Sequence, residues 1–308
     1  MKPEKHGKAA LIGATVIASY GRHSLARSED QTLWQVFGKG KRREVAVGDR
    51  ILIQPSGDNQ AWVEQIEARR NLLYRSDAMR SKLFASNLDQ TILVLASSPP
   101  YSTELLGRTL IACQTAGVPL HIVFNKTDLL QGENERKDIE KRLHQWTHGE
   151  VPIHFLSVRT QAEQAKELLQ SLLKNKCSLI LGQSGMGKST LLNLMIPHAV
   201  AATNEVSIAL NAGKHTTTHT QMFEGENGIR LIDSPGFQAF GLNHLSPDEL
   251  KEAFTDIAHQ AMRCRFANCQ HKQEPQCAVK IAIEEGELFA PRLQLMQLLL
   301  DEIQTTHY

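Results

Sequence analysis

Three short motifs occur in this chain in an order that few folds can use. Asn125-Lys126-Thr127-Asp128 reads NKxD, Gly182-Gln183-Ser184-Gly185-Met186-Gly187-Lys188-Ser189 reads GxxxxGKS, and Asp233-Ser234-Pro235-Gly236 reads DxxG. In nucleotide-binding α/β domains that carry all three, the phosphate loop ordinarily comes first and NKxD last. A rotated order still builds one pocket if the chain is circularly permuted, because adjacency at the carboxyl ends of neighbouring parallel strands makes the site. The expectation is a circularly permuted P-loop G domain.

The pattern around the motifs agrees. Apolar or β-branched runs at Thr91–Ala96, Leu120–Asn125, Val151–Ser157, Ser178–Gly182 and Ile229–Asp233 read as strands. Helical stretches at Thr103–Ala116, Glu133–Trp146, Ala162–Lys174 and Ser189–Ile196 lie between several of them. Alternation of this kind predicts a doubly wound, mostly parallel sheet. Each motif directly follows a strand, where such sheets bind ligands.

Upstream the rhythm is different. Ala9–Ala18, Gln31–Gly38, Asp49–Gln54 and Ala61–Ala68 read as short strands broken by glycines and by the turn Pro55-Ser56-Gly57-Asp58. Close spacing predicts a small β-barrel. An OB-fold leads, and periodicity does not separate it from an SH3-like barrel. Downstream, Ser246-Pro247-Asp248-Glu249 reads as a helix start with an N-cap, proline at the first turn and acids at the positive dipole end. That helix is expected to run to about Met262, with further helices at Ala278–Glu285 and Arg292–Ile303. The expected layout is a barrel over 1–78, a permuted G domain over 79–240 and a mainly helical, zinc-binding domain over 241–308.

The nucleotide chemistry follows from the residue types. Gly182, Gly185 and Gly187 let the backbone N–H groups of the loop, from Gln183, Ser184 and Met186 onward, curl around a β-phosphate, and the helix that follows adds its dipole through Ser189 and Thr190. Lys188 is expected at the β- and γ-phosphates and the Ser189 hydroxyl on Mg²⁺. Asp128 can accept from guanine N1–H and the 2-amino group together, a donor pair adenine lacks. Asn125 should bond the loop and the base edge, the Lys126 stem should cover the ring, and Thr127 completes the turn. An ATPase is disfavoured on this ground. Ser157-Val158-Arg159 sits where a further guanine-contacting loop, usually Ser-Ala-Lys, is expected, and its backbone N–H groups carry that role. Asp233 should hold Mg²⁺ through a coordinated water, and the Gly236 N–H should meet the γ-phosphate. Between the phosphate loop and DxxG, Gly213-Lys214-His215-Thr216-Thr217-Thr218 occupies the switch I position. Thr217 is the chosen Mg²⁺ ligand, with its neighbours as alternatives. The residue after DxxG is Phe237, which cannot orient water by hydrogen bonding. His215 is the candidate for water positioning, with loop shaping or RNA contact as the other readings.

The five cysteines divide into two kinds. Cys113 and Cys177 fall in a helix and a strand and read as core. Cys264, Cys269, His271 and Cys277 make Cys-x₄-Cys-x-His-x₅-Cys, a closed Cys₃His set of the kind that holds structural Zn²⁺. The odd cysteine count fits a reducing setting. No apolar run approaches a membrane span and the N-terminus does not read as a signal peptide, so a cytoplasmic protein is expected, and a monomer is the expected state. The chain carries a net charge of +1, yet residues 1–80 hold 14 Lys/Arg against 9 Asp/Glu, so the first domain is locally basic.

Together these features resemble the RsgA (YjeQ) family of ribosome small-subunit-dependent GTPases. The resemblance covers nearly the whole chain. It rests on motif order, on Gly-x-His-Thr-Thr-Thr, Asp-Ser-Pro-Gly and the Cys/His spacing, and on Asn87-Leu88-Asp89-Gln90, which is similar to the family's Asn-Val-Asp-Gln at the barrel junction. Val158 and a short N-terminal extension depart from the pattern. The resemblance implies an OB-fold, a permuted G domain and a zinc-binding C-terminal domain. It also implies a factor that binds the immature small (30S) ribosomal subunit and its rRNA, hydrolyses GTP there late in maturation, and leaves. RNA contact by the barrel would use Lys39, Lys41, Arg42 and Arg43, a basic run against phosphates. No aromatic residue interleaves with that run, so recognition of backbone and shape is expected from it. Two other readings stand beside this one: a GTPase with a non-ribosomal partner, and a nucleotide-gated RNA-binding module with little hydrolysis.

Overall fold

The structure, a computed structural model, describes residues 10–20, 23–38, 44–76, 81–197, 199, 220–233 and 240–306. Lys39, Lys41, Arg42, Arg43, His215, Thr217, Gly236 and Phe237 lie outside the described residues.

Five strands form the first unit: β1 (Ile12–Ser19), β2 (Ser24–Ser28), β3 (Leu33–Gly38), β4 (Arg50–Gly57) and β5 (Gln60–Ile66). They pair in the order β1–β2–β3–β5–β4, and β4 closes back on β1 through Ile12–Thr15 against Arg50–Ile53. The closed order, with β3 and β5 parallel, is that of an OB barrel and settles the choice that periodicity left open. Period-two alternation fills its interior with Ala14, Val16, Ala26, Val36, Ile51, Ile53, Ala61 and Val63. Strand β2 escaped the sequence reading. Ser-Leu-Ala-Arg-Ser has little apolar signal, and it is a strand because β1 and β3 supply partners on both edges.

A hairpin, β6 (Leu72–Ser76) with β7 (Ser81–Ser86), leads from the barrel into the second unit. There β8 (Gln90–Leu95), β9 (Leu120–Phe124), β10 (Ile153–Phe155), β11 (Cys177–Leu181), β12 (Thr220–Glu224) and β13 (Arg230–Asp233) stand in the spatial order β10-β9-β8-β11-β13-β12. All neighbours are parallel except β12, which runs antiparallel to β13. The central parallel strands β8, β9, β11 and β13 bury residues on both faces, while edge strand β10 is half-buried. Ile92, Val94, Val123, Ile180 and Leu231 pack under α3 (Ala162–Leu173) and α4 (Lys188–Met195). Leu93, Leu95, Ile122, Leu179 and Ile232 pack under α1 (Thr103–Thr115), α2 (Glu133–Thr147) and the C-terminal helices. Cys113 and Cys177 are core residues as expected, and burial pushes their thiols up to about 12 and about 11. His121 and His154 stack on each other between β9 and β10, and burial first, then His154 and Lys176, drives His121 down to about 4.

The two units share one sheet. β12 pairs antiparallel with β1, Gln221 opposite Ala18 and Thr220 opposite Ser19, and Arg27 of the barrel forms an ion pair with Glu224. β12 also went unread in the sequence, because Thr-Gln-Met-Phe-Glu becomes a strand only between these two partners.

The C-terminal unit is helical: α5 (Pro247–Ala253), α6 (Thr255–Ala261), α7 (Ala278–Glu284) and α8 (Ala290–Thr306). The single helix expected from Ser246 to about Met262 is two. Phe254 breaks it with φ −92° and ψ 68°, burying its ring completely under the Arg292 guanidinium. Its start is the expected one: Ser246 and Glu249 exchange both bonds of a capping box. The unit is fastened to the sheet domain by polar groups taken out of water. Arg292 grips both Asp256 oxygens at 2.8 and 2.9 Å and donates to the Trp146 carbonyl at 2.7 Å, and His148 reaches Asp256 at 3.0 Å. Arg108 of α1 pairs with Glu302 of α8. Among the described residues no helix is long and apolar enough to cross a membrane.

Candidate nucleotide site and metal centre

NKxD, the phosphate loop and Asp233 meet at the carboxyl edge of the sheet, because β9, β8, β11 and β13 lie side by side. The phosphate loop leaves β11 through Gly182, whose φ of +144° no ordinary residue adopts and whose added Cβ would lie 2.3 Å from the Val94 carbonyl. The loop then runs to α4, whose first turn presents Ser189 and Thr190 to solvent. Ser184 and Gly185 are exposed, while Met186 is fully buried, so its side chain anchors the loop and only its backbone faces the site.

Asn125 joins the pieces. It is 3% exposed, donates from Nδ2 to the Met186 carbonyl at 3.0 Å, and accepts from the Val158 N–H at 3.1 Å. One side chain therefore ties NKxD to the phosphate loop and to the 157–159 loop. Beside it the Ser157 hydroxyl donates to an Asp128 carboxylate oxygen, and Thr160 donates to the same hydroxyl at 2.8 Å. This chain of hydroxyls fixes the carboxylate that would read a base edge. Lys126 takes a left-handed conformation, φ 61°, which sends its ammonium to the Ser98 carbonyl at 2.7 Å. Thr127 anchors the turn through its N–H to Leu156.

Lys188 folds back over its own loop, with Nζ on the carbonyls of Gly182 and Gln183, the latter at 2.8 Å. Burial lowers its pKa while the field of Asp233 opposes that. Asp233 ends β13 directly beside Ile180 of β11, close enough for its charge to act on Lys188.

The segment Ser97–Ser102 contributes contacts that motif reading missed. Gln183 accepts from the Ser102 N–H at 2.6 Å, Pro99 packs against Gly185, and Ser98 receives Lys126. Its position at the carboxyl end of β8 was the available signal.

Cys264, Cys269, His271 and Cys277 gather with all ligand atoms within 4.8 Å of one another. Cys264 Sγ lies 3.7 Å from His271 Nδ1 and 3.9 Å from Cys277 Sγ, and His271 Nδ1 lies 3.3 Å from Cys277 Sγ. A tetrahedron with metal–sulfur bonds of about 2.3 Å has edges of roughly 3.8 Å, so the donor set fits a four-coordinate metal ion. Glu274 shapes the ligand loop by accepting the N–H groups of Gln270, Lys272 and Gln273. Those bonds, led by Gln270, draw its carboxyl down to about 2.

A family model described as RsgA GTPase matches residues 66–243. The chain belongs to the RsgA GTPase family. It is a GTP hydrolase built on the permuted domain described above. A small ribosomal subunit biogenesis GTPase RsgA from Paraburkholderia xenovorans (strain LB400) is 45% identical over 297 residues, covering 94% of this chain and 93% of the relative. One from Ralstonia pickettii (strain 12J) is 42% identical over 308 residues, covering 98% and 96%. Among solved structures, YjeQ from Thermotoga maritima aligns with a TM-score of 0.68 at 27% identity over 96% of this chain and 99% of that one. YloQ, a circularly permuted GTPase, has the same fold with a TM-score of 0.65 at 24% identity, over 98% of each chain.

Proposed function

We propose that this GTPase acts on the immature small (30S) ribosomal subunit in a late step of its maturation, and that docking there raises its turnover. The observation that carries the proposal is the match to relatives named small ribosomal subunit biogenesis GTPase RsgA, spanning 94% of this chain at 45% identity in one case. The domain layout is a barrel over 1–78, a G domain over 79–240 and a C-terminal domain over 241–308, working in the cytoplasm as a monomer.

In the nucleotide site, Asp128 reads the guanine edge and Asn125 holds the base loop against the phosphate loop. The Ser157 and Val158 segment faces the guanine oxygen. Backbone N–H groups from Gln183 to Thr190 surround the phosphates, and Lys188 leaves the Gly182 and Gln183 carbonyls to meet them. Ser189, Thr217 and Asp233 hold Mg²⁺, Gly236 senses the γ-phosphate, and His215 positions water. Cys264, Cys269, His271 and Cys277 hold Zn²⁺ as a structural ion that ties short helices together where the core is small.

Two connections support nucleotide control of subunit binding. The strand after switch I, β12, is hydrogen-bonded to barrel strand β1. Beyond Gly236 the chain is bonded to the β6–β7 hairpin, Gly241 N–H to the Tyr74 carbonyl at 3.0 Å with His244 stacked on Tyr74. A change at switch I therefore has a short route through hydrogen-bonded β12 to the barrel, and one at switch II runs along the chain into the C-terminal unit.

The test is GTP turnover titrated with purified small subunits. A saturable rise supports the proposal, and a flat response overturns it. Equal subunit affinity of the GTP- and GDP-bound forms would remove the nucleotide control.

A further inference from the structure

We propose that the outer face of β3 and β5 binds unpaired RNA, with bases stacked on Trp62, Phe37 and His23. The inference deepens the reading given above, since it rests on the barrel meeting rRNA, and it names the chemical form of RNA that the barrel takes.

The residues come from separate strands. Phe37 and Trp62 are cross-strand partners on the parallel β3–β5 pair, and their rings lie 5.7 Å apart. Their neighbours Val36, Ala61 and Val63 point into the barrel, so alternation sends Phe37 and Trp62 outward. His23 stands 6.2 Å from Phe37, and Tyr20 stacks on His23 at 5.3 Å with 19° between the planes. The result is a continuous aromatic row across the barrel.

The row is open. Trp62 is 39% exposed, Leu33 on the same side of β3 is 41% exposed, and Phe37 and His23 are half-buried. The outer side of β1 and β2 differs, because Ile17 and Leu25 are buried in the core shared with the rest of the molecule. Tyr20 packs against that core and backs His23. Exposing an indole and a phenyl ring side by side has a solvation cost, and stacking on another flat ring removes it.

The surroundings favour nucleic acid as the occupant. Gln35 and Gln60 pair across the same strands at 3.4 Å and offer neutral donors and acceptors to base edges. Residues 1–80 carry 14 Lys/Arg against 9 Asp/Glu, and Lys39, Lys41, Arg42 and Arg43 come within six positions of Phe37 in the sequence. Aromatic faces on a domain of net positive charge suit a single strand, whose bases are free to leave one another. Duplex RNA keeps its bases inside and would leave the row unused.

The experiment uses the full chain, a short unstructured pyrimidine-rich oligoribonucleotide and a hairpin of the same composition, with anisotropy read at several salt concentrations. Wild type should prefer the unpaired oligomer by about tenfold or more, and Trp62→Ala and Phe37→Ala should each lose about tenfold on it. Trp62→Phe should keep most of the affinity. The slope of log affinity against log salt should stay unchanged in all three, since phosphate contacts are left intact. Leu298→Ala, an exposed change on α8, controls for altered solubility. Wild-type affinity in both alanine variants overturns the proposal, as does a wild-type preference for the hairpin. Loss of small-subunit binding with oligomer binding intact would make the face a protein contact and also overturns it. Failure of the ribosomal reading is separate: it appears as unstimulated turnover in the wild type, whatever the oligomer does.

Discussion

Gly187 stands where any side chain would strike Asn125: a Cβ at this position would lie 2.3 Å from the Asn125 amide nitrogen, and the backbone there has φ +96°. The phosphate loop and the base-reading loop can touch only because residue 187 has no side chain. Gly187→Ala should therefore part the loops while leaving both cores intact. We expect GTP affinity to fall by about tenfold or more, equivalent to ~1.4 kcal/mol, from strain and a lost buried bond. Isothermal titration with GTP, beside an unchanged melting curve, checks it.

Asp128 is held by the Ser157 hydroxyl, which in turn receives Thr160. Replacing Asp128 with Asn exchanges one acceptor for a donor. Guanine then meets a donor facing its 2-amino group, whereas xanthine presents a carbonyl there. Binding should drop by about two orders of magnitude for GTP and recover with XTP. A variant that binds both nucleotides as the wild type does would show that Asp128 does not read the base.

The clamp of Asp256 by Arg292 and His148 sets a pH dependence. Burial pushes Asp256 upward, but the His148 and Arg292 hydrogen bonds outweigh it and hold the carboxyl well below its usual range. A depressed carboxyl contributes stability above the unfolded-state value of about 3.9 and loses it as pH falls toward the folded value. Asp256→Asn should cost roughly 3–5 kcal/mol at neutral pH by leaving Arg292 buried and unpaired. The acid limb of the wild-type melting profile should flatten in the variant.

Gly107 lets α8 approach α1, since an added Cβ would lie 2.2 Å from Leu295 and 2.9 Å from Trp146. Gly107→Ala should destabilise by about 1–3 kcal/mol through overpacking, despite alanine's better helix propensity. Urea unfolding measures the sign, and a stabilised variant would mean that the helices separate freely.

Elemental analysis of the purified chain should find one zinc, and chelation should lower the melting temperature while spectroscopy follows the loss of helix. Glu274→Gln should weaken metal retention by about tenfold, because the carboxylate organises three N–H groups of the ligand loop. Retention equal to wild type would show that the loop is set by the ligands alone.

Much of the nucleotide site was legible because its chemistry is local. Gly182, Gly185 and Gly187 take positive φ within the loop itself, and Lys188 opens the helix that follows. The metal set was legible for the same reason, four donors within one short stretch. Ser98, Ser102 and Thr160 were not, because a lone serine or threonine carries no period and gains its role from what the fold sets opposite it. Strands β2 and β12 stayed hidden because their partners, not their compositions, make them strands. The break at Phe254 stayed hidden because only the Arg292 guanidinium above it explains why that ring turns inward.

The sequence alone determined that a guanine-nucleotide cradle is present, in rotated order, together with a Cys₃His cluster, since each depends on residues a few positions apart. Tertiary structure decided that Asn125 closes on Met186, that β12 joins the barrel through β1, and that His23, Phe37 and Trp62 form one row. The physical reason is range. Backbone conformation and ligand spacing are set within a turn or two of chain, whereas strand pairing and side-chain stacking depend on which distant segments the hydrophobic core brings together.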